Sequence, residues 1–231
     1  MTFTKSLSRP LFAAFTAFAF AGSAAAPARA CGGEWYPIYE VDPRIEGVDT
    51  AEKKLEDGHV LASAGMVIRM IPHIKTLSPT RTTLIQRAHR VLALAAVRYD
   101  GALPVGAEVP DYVQGTWLGK TAEDRKTNLD WAVKSLREIA KAKKDDPASR
   151  TELAEALAKL DDSKAEARQI LEDLAQKDLI TSADGYATLA TLREGAGDQE
   201  GRRAALERCK TMAHPSQAGI CEGRPASSVA T

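Results

Sequence analysis

Beyond residue 49 apolar side chains recur three and four positions apart, with polar residues filling the positions between them. Leu129, Ala132, Val133, Leu136, Ile139 and Ala140 form one such stripe, Leu153, Ala156, Leu157 and Leu160 a second, and Ala167, Ile170, Leu171 and Leu174 a third. A period near 3.6 places each stripe along one face of a helix. A Ser, Thr or Asp followed three residues later by an acid marks a helix start, because both side chains can satisfy backbone N–H groups that lack helical partners. Such pairs stand at Asp49/Glu52, Thr121/Asp124, Ser149/Glu152, Ser163/Glu166 and Thr181/Asp184, and Ser78-Pro79 adds a sixth start. No run of strand-like alternation follows residue 50. The pattern predicts an all-α fold of about eight helices, near 50–57, 60–71, 80–98, 122–144, 150–160, 164–178, 182–195 and 199–212. Residues 31–49 contain Gly32, Gly33, Pro37, Pro43 and Gly47 and read as an extended arm. Residues 214–231 read as a mobile polar tail.

The helices also repeat. A shift of 35 residues lays Ser163–Leu174 on Asp198–Cys209 and matches Arg168 with Arg203, Leu171 with Leu206 and Glu172 with Glu207. Each unit is a helix, a tight turn (Asp161-Asp162, or Gly195 to Asp198) and a second helix. Such hairpins cannot bury their apolar faces alone and must stack. With Gly197-Asp198 in the turn, small residues at Ala154, Ala158 and Ala167, and the Ala167/Leu171 and Ala132/Leu136 spacings, the chain resembles the tetratricopeptide repeat family over about residues 50–212. Leu55-Glu56-Asp57-Gly58 with Ala62, Ala64 and Val67 looks like a worn first unit. The resemblance implies a TPR-like α-solenoid over 50–213, interrupted by a loop at 100–121, and a role in binding other proteins. No unit holds the family's full set of aromatic and Gly positions, so a generic helical array or bundle is the alternative.

The first thirty residues differ from the rest. They hold all five Phe, three basic residues and no acid. Lys5 and Arg9, the apolar run Leu11–Ala26 and the site Ala28-Arg29-Ala30 together form the pattern of a secretory signal peptide over 1–30. Export, to the periplasm or beyond the cell, is therefore expected. Cleavage after Ala30 would expose Cys31, as in bacterial lipoproteins, and acylation there would tether the protein to a membrane. Arg29 favours ordinary cleavage. An oxidising compartment permits disulfides, and Cys209 is expected to pair with Cys221 across a segment that Pro215 and Gly219 can bend. His214 lies between them, but a zinc site would need a fourth ligand that no nearby residue supplies. Neither a metal nor a cofactor is expected.

Charge narrows the function. After residue 30 the chain carries 28 Lys and Arg against 31 Asp and Glu, which disfavours a nucleic-acid binder. The balance conceals opposed blocks, since residues 31–57 hold eight acids and three bases while no acid lies between Asp57 and Asp100. Within that basic block Arg87, Arg90 and Arg98 share one helical face. They are the candidate partner-binding residues, because Arg presents paired donors to carboxylates and phosphates. The alternative is that they pair with Glu34, Glu40, Asp42 and Glu46 or face water. Trp117, in the Gly- and Pro-rich segment Asp100–Lys120, is read either as an anchor at a binding groove or as a plug for exposed core. Trp35, Tyr36 and Tyr39 in the arm either tuck into a groove or meet a partner.

Familiar nucleophile, phosphate-loop and zinc-helix motifs are absent from the sequence. The expected function is a non-catalytic protein-binding or scaffolding module of the bacterial cell envelope, with a protein or peptide partner for which the Arg face suggests anionic character. The alternative is an envelope enzyme or accessory factor holding an anionic substrate on that face.

Overall fold

The computed structural model describes residues 42–105, 109, 111–144 and 146–222. Export, cleavage, the fate of Cys31 and the arm aromatics concern residues outside these. Among the described residues there are nine α-helices and no strand: α1 (Pro43–Glu56), α2 (Val60–Met70), α3 (Thr83–Arg98), α4 (Asp111–Gln114), α5 (Ala122–Ala142), α6 (Pro147–Leu157), α7 (Lys164–Gln176), α8 (Ala183–Gly195) and α9 (Gln199–Met212). None is long and apolar enough to cross a membrane.

Four hairpins pair α1 with α2, α3 with α5, α6 with α7 and α8 with α9. Each second helix also packs against the first helix of the next hairpin, while α1, α3, α6 and α8 meet one another in succession. This is the expected helical-hairpin array. The units superposed by the 35-residue shift are the α6/α7 and α8/α9 hairpins.

The α1/α2 and α8/α9 hairpins turn tightly because the chain adopts positive φ at a glycine just after the first helix. After α1, Gly58 at φ +83° lets the His59 N–H reach the Lys54 carbonyl at 2.7 Å, and after α8, Gly197 at φ +80° lets Asp198 reach Arg193 at 2.9 Å. At Gly101 the requirement is steric as well, since a Cβ there would lie 2.3 Å from the Arg125 carbonyl oxygen.

Helix starts depart from expectation by a few residues. Thr121 and Asp124 form a reciprocal capping box as predicted. Elsewhere the caps are Asp42, Thr82, Asp146, Ser182 and Asp198, each accepting from a backbone N–H two or three residues on. Residues 43–49, expected in the extended arm, are therefore the first turns of α1. Pro43 suits that position because its missing N–H would have had no helical partner.

Two further corrections concern the connections. Within 100–121 the chain folds into α4 and a 3-10 turn at Gly115–Leu118, and Leu103, Val105, Val109, Val113 and Trp117 are buried against the α3/α5 hairpin. The tail does not begin at 214, because Pro215–Glu222 form a 3-10 segment. That segment is held by the expected Cys209–Cys221 disulfide, with the sulfurs 2.00 Å apart. It returns to the first hairpin, where the Ser216 hydroxyl donates to the Asp57 carbonyl at 2.5 Å.

The core is built of Ala, Leu, Val and Ile. One cluster runs from α1 to α7 and a second from α6 to α9 with both disulfide cysteines. Ala51, Ala64, Ala88, Ala132, Ala156 and Ala167 are fully buried, which lets the helix backbones approach closely.

Candidate functional site

The three arginines do lie on one face of α3, and that face looks towards α1, α6 and α8. Arg87 donates through Nε to Glu52 at 3.0 Å and through its terminal nitrogen to Glu52 and Asp49. Arg90 donates to one oxygen of Glu152 at 2.7 and 2.5 Å, with Glu52 3.8 Å away. Arg98 lies 3.0 Å from Asp184 and 3.6 Å from Glu155. The predicted open anion-binding face is therefore occupied by the protein's own carboxylates, which belong to α1, α6 and α8; of the acids expected in the arm, Glu34 and Glu40 lie outside the described residues. Asp42, one of the arm acids, instead binds Arg44.

Burial opposes the charge on Arg98, yet the carboxylates of Asp184, Glu155 and Glu152 outweigh it and hold its pKa above the ordinary value. Acid is in excess. Asp49, Glu52, Glu152, Glu155 and Asp184 face three guanidiniums, and Glu56 adds its charge beside Arg90. Glu155 reflects this. Burial, joined by repulsion from Asp184 and Glu152, raises its pKa to about 7 against the attraction of Arg98 and a hydrogen bond from Ser182 at 2.5 Å. Among the described residues, three buried atoms of the network have no hydrogen-bond partner: Arg98 Nε, Glu152 Oε2 and Glu155 Oε2.

Two cavities meet at this network. One, of about 370 Å³, lies between the α1/α2 turn, the end of α3 and the C-terminal 3-10 segment. The other, of about 320 Å³, lies among α1, α3, α6 and the start of α8, with Met212 and Gln217 at its edge. Arg98, Asp184 and Gln217 line both. Each volume falls at the lower end of the range that ligand sites occupy.

Trp117 lies elsewhere, inside the α3/α5 hairpin. Its ring meets Trp131 edge-on at 5.1 Å and carries Lys75 Nζ 3.7 Å from its centre. It is 3% exposed, so the structure places it as a core plug rather than a groove anchor. Lys75 also donates to Asn128 at 2.7 Å, and Asn128 donates to the Gly101 carbonyl at 2.6 Å. Burial lowers the Lys75 pKa to about 8. His89 stacks on Trp131 at 5.2 Å, with Nδ1 3.2 Å from the Ser135 hydroxyl. Burial drives its pKa down to about 4, although the carbonyls of Ile74 and Leu77 oppose this. His89, Asn128 and Ser135 escaped the sequence reading because a polar residue inside an apolar stripe carries no mark of its tertiary partner. No group of three or more His, Cys, Asp or Glu among the described residues could hold a metal ion.

No protein-family model, no curated protein and no solved structure matches the chain.

Two outcomes follow from these environments. Trp117→Ala should lower stability by about 3–5 kcal/mol in denaturant titration, as loss of a buried indole does. The buried acid and base should also give opposite pH dependences. Between about 4 and 6.5 the unfolded chain protonates His89 while the folded one does not, so that contribution to stability falls as pH falls. Between 4.5 and about 7 the folded chain keeps a proton on Glu155 that the unfolded one releases, so that contribution falls as pH rises. Glu155→Gln should leave a stability curve that rises with pH over 4–6.5, and His89→Gln one that declines from 4.5 to 7, both read by thermal melting.

Proposed function

We propose that the protein is a non-catalytic, partner-binding module of the tetratricopeptide-like kind, working in the bacterial cell envelope, and that the face shared by α1, α3, α6 and α8 is its docking surface. The observation that carries this reading is the pair of ligand-sized cavities meeting at Arg98 and Asp184 on that face. Stacked repeats create extended surfaces suited to binding partners. The envelope setting is supported by the N-terminal export pattern and by a disulfide, which suits an oxidising compartment. The ion pairs of Arg87, Arg90 and Arg98 with carboxylates support this reading over that of an enzyme gripping an anionic substrate on those guanidiniums.

Position-specific photo-crosslinking in the cells that make the protein tests this. Probes replacing Leu61 or Met212, which line the cavities, should yield a discrete protein adduct. A probe replacing Lys134, exposed on α5, should not. Adducts from none of the positions, or equal adducts from all three, would refute the assignment of this face.

A further inference from the structure

One wall of the cavity of about 370 Å³ is the C-terminal 3-10 segment, which contributes Ser216, Gln217, Gly219 and Ile220. The segment works as a strap, leaving the last hairpin and crossing to the first. The Ser216 hydroxyl donates to the Asp57 carbonyl at 2.5 Å. A Cβ on Gly58 would lie 2.7 Å from Ser216 Oγ and 3.0 Å from Gln217 Cγ, so the strap sits directly on the α1/α2 turn.

Little besides the disulfide holds it there. Of the eight residues in the strap only Cys221 is buried, and Pro215, Ser216, Ala218 and Glu222 are exposed. Ile220 adds a partly buried contact with the second core. Among the described residues Ser216 supplies the strap's one hydrogen bond to the first hairpin, while further bonds of His214, Ser216 and Gln217 run among themselves. One hydrogen bond offsets the backbone entropy of about one ordered residue, far short of what the whole strap loses. The bond from Cys221 to Cys209 of α9 closes the loop, and a closed loop gains few conformations by leaving its place.

We propose that this disulfide is a latch that assembles the docking cavity. In the oxidised chain the strap completes the wall; in the dithiol chain it leaves the first hairpin and the cavity opens to solvent. The proposal rests on the docking reading above and adds its regulation. A dithiol reductant releases the latch: two electrons and two protons pass to Cys209 and Cys221, which become thiols, and the reductant becomes a disulfide. A disulfide donor runs the step in reverse, so a chain with free thiols gains its site on oxidation.

Hydrogen–deuterium exchange of the purified full-length protein, oxidised and after reduction with dithiothreitol, reads the latch without a partner. Amides of 215–222 should exchange at least about tenfold faster in the reduced protein while those of α1 to α8 keep their rates, as a locally opening unit does. Oxidised glutathione should restore slow exchange. Unchanged exchange in the strap overturns the latch, and so does loss of protection throughout, which would make the bond a staple of the whole fold. Cys209→Ala/Cys221→Ala should exchange like the reduced protein with no reductant present. In cells that variant, carrying the Leu61 probe, should give several-fold less adduct than the parent with the same probe. Undiminished adduct from a chain whose strap has released overturns the assembly of the site. No adduct from the parent refutes the docking face instead and leaves the exchange result standing. If the variant fails to accumulate, exchange of the reduced parent carries the test.

Discussion

Arg98 brings a full positive charge to the end of α3, where it is nine-tenths buried between the first turn of α8 and the body of α6. A guanidinium there can persist only if carboxylates neutralise it: Asp184 of α8 does so at 3.0 Å, and Glu155 of α6, whose pKa is raised to about 7, adds its charge above that pH. The three groups thereby fix the spacing of α3, α6 and α8 more narrowly than apolar packing alone would. Apolar surfaces tolerate sliding, while a buried ion pair has few acceptable geometries. Arg90 with Glu152 and Arg87 with Glu52 extend the same constraint back to α1. Both cavities open beside Arg98, so the candidate docking surface inherits its shape from this network.

The C-terminal segment supplies a second constraint. The last hairpin of an open array has one uncovered face, and here the chain turns back after α9 to cover part of it. Cys221 is buried against the second core and bonded to Cys209, while Ser216 reaches the Asp57 carbonyl of the first hairpin. Closing a loop of this size can contribute about 3 kcal/mol by restricting the unfolded chain. The link also brings Gln217 to the rim of both cavities.

The helices were legible in the sequence because their signal is local. Stripes such as Ala167, Ile170, Leu171 and Leu174 depend only on the helical period, and α5 to α9 lie close to their expected places. Helix starts were less legible, since several residues compete for each cap. Asp146 and Ser182 won over neighbours with equally suitable side chains. The site was legible only in part. That Arg87, Arg90 and Arg98 share a face follows from their spacing, but their partners lie 35 to 86 positions away, and Glu52, Glu152 and Asp184 carried the appearance of helix-start acids. Stacking the hairpins therefore fills the arginine face with carboxylates from other helices. Trp117 allowed two readings until Trp131 and Lys75 were seen against its ring.

The most direct measurement compares the unfolding free energy of Arg98→Met with that of the triple variant Arg98→Met/Glu155→Gln/Asp184→Asn. If the buried charges organise the array, the single change strands two carboxylates and should cost about 3–5 kcal/mol. The triple change, which strands none, should recover most of that loss. A single variant within about 0.5 kcal/mol of the parent, as expected of an ordinary surface substitution, would contradict the account. So would a triple variant less stable than the single one.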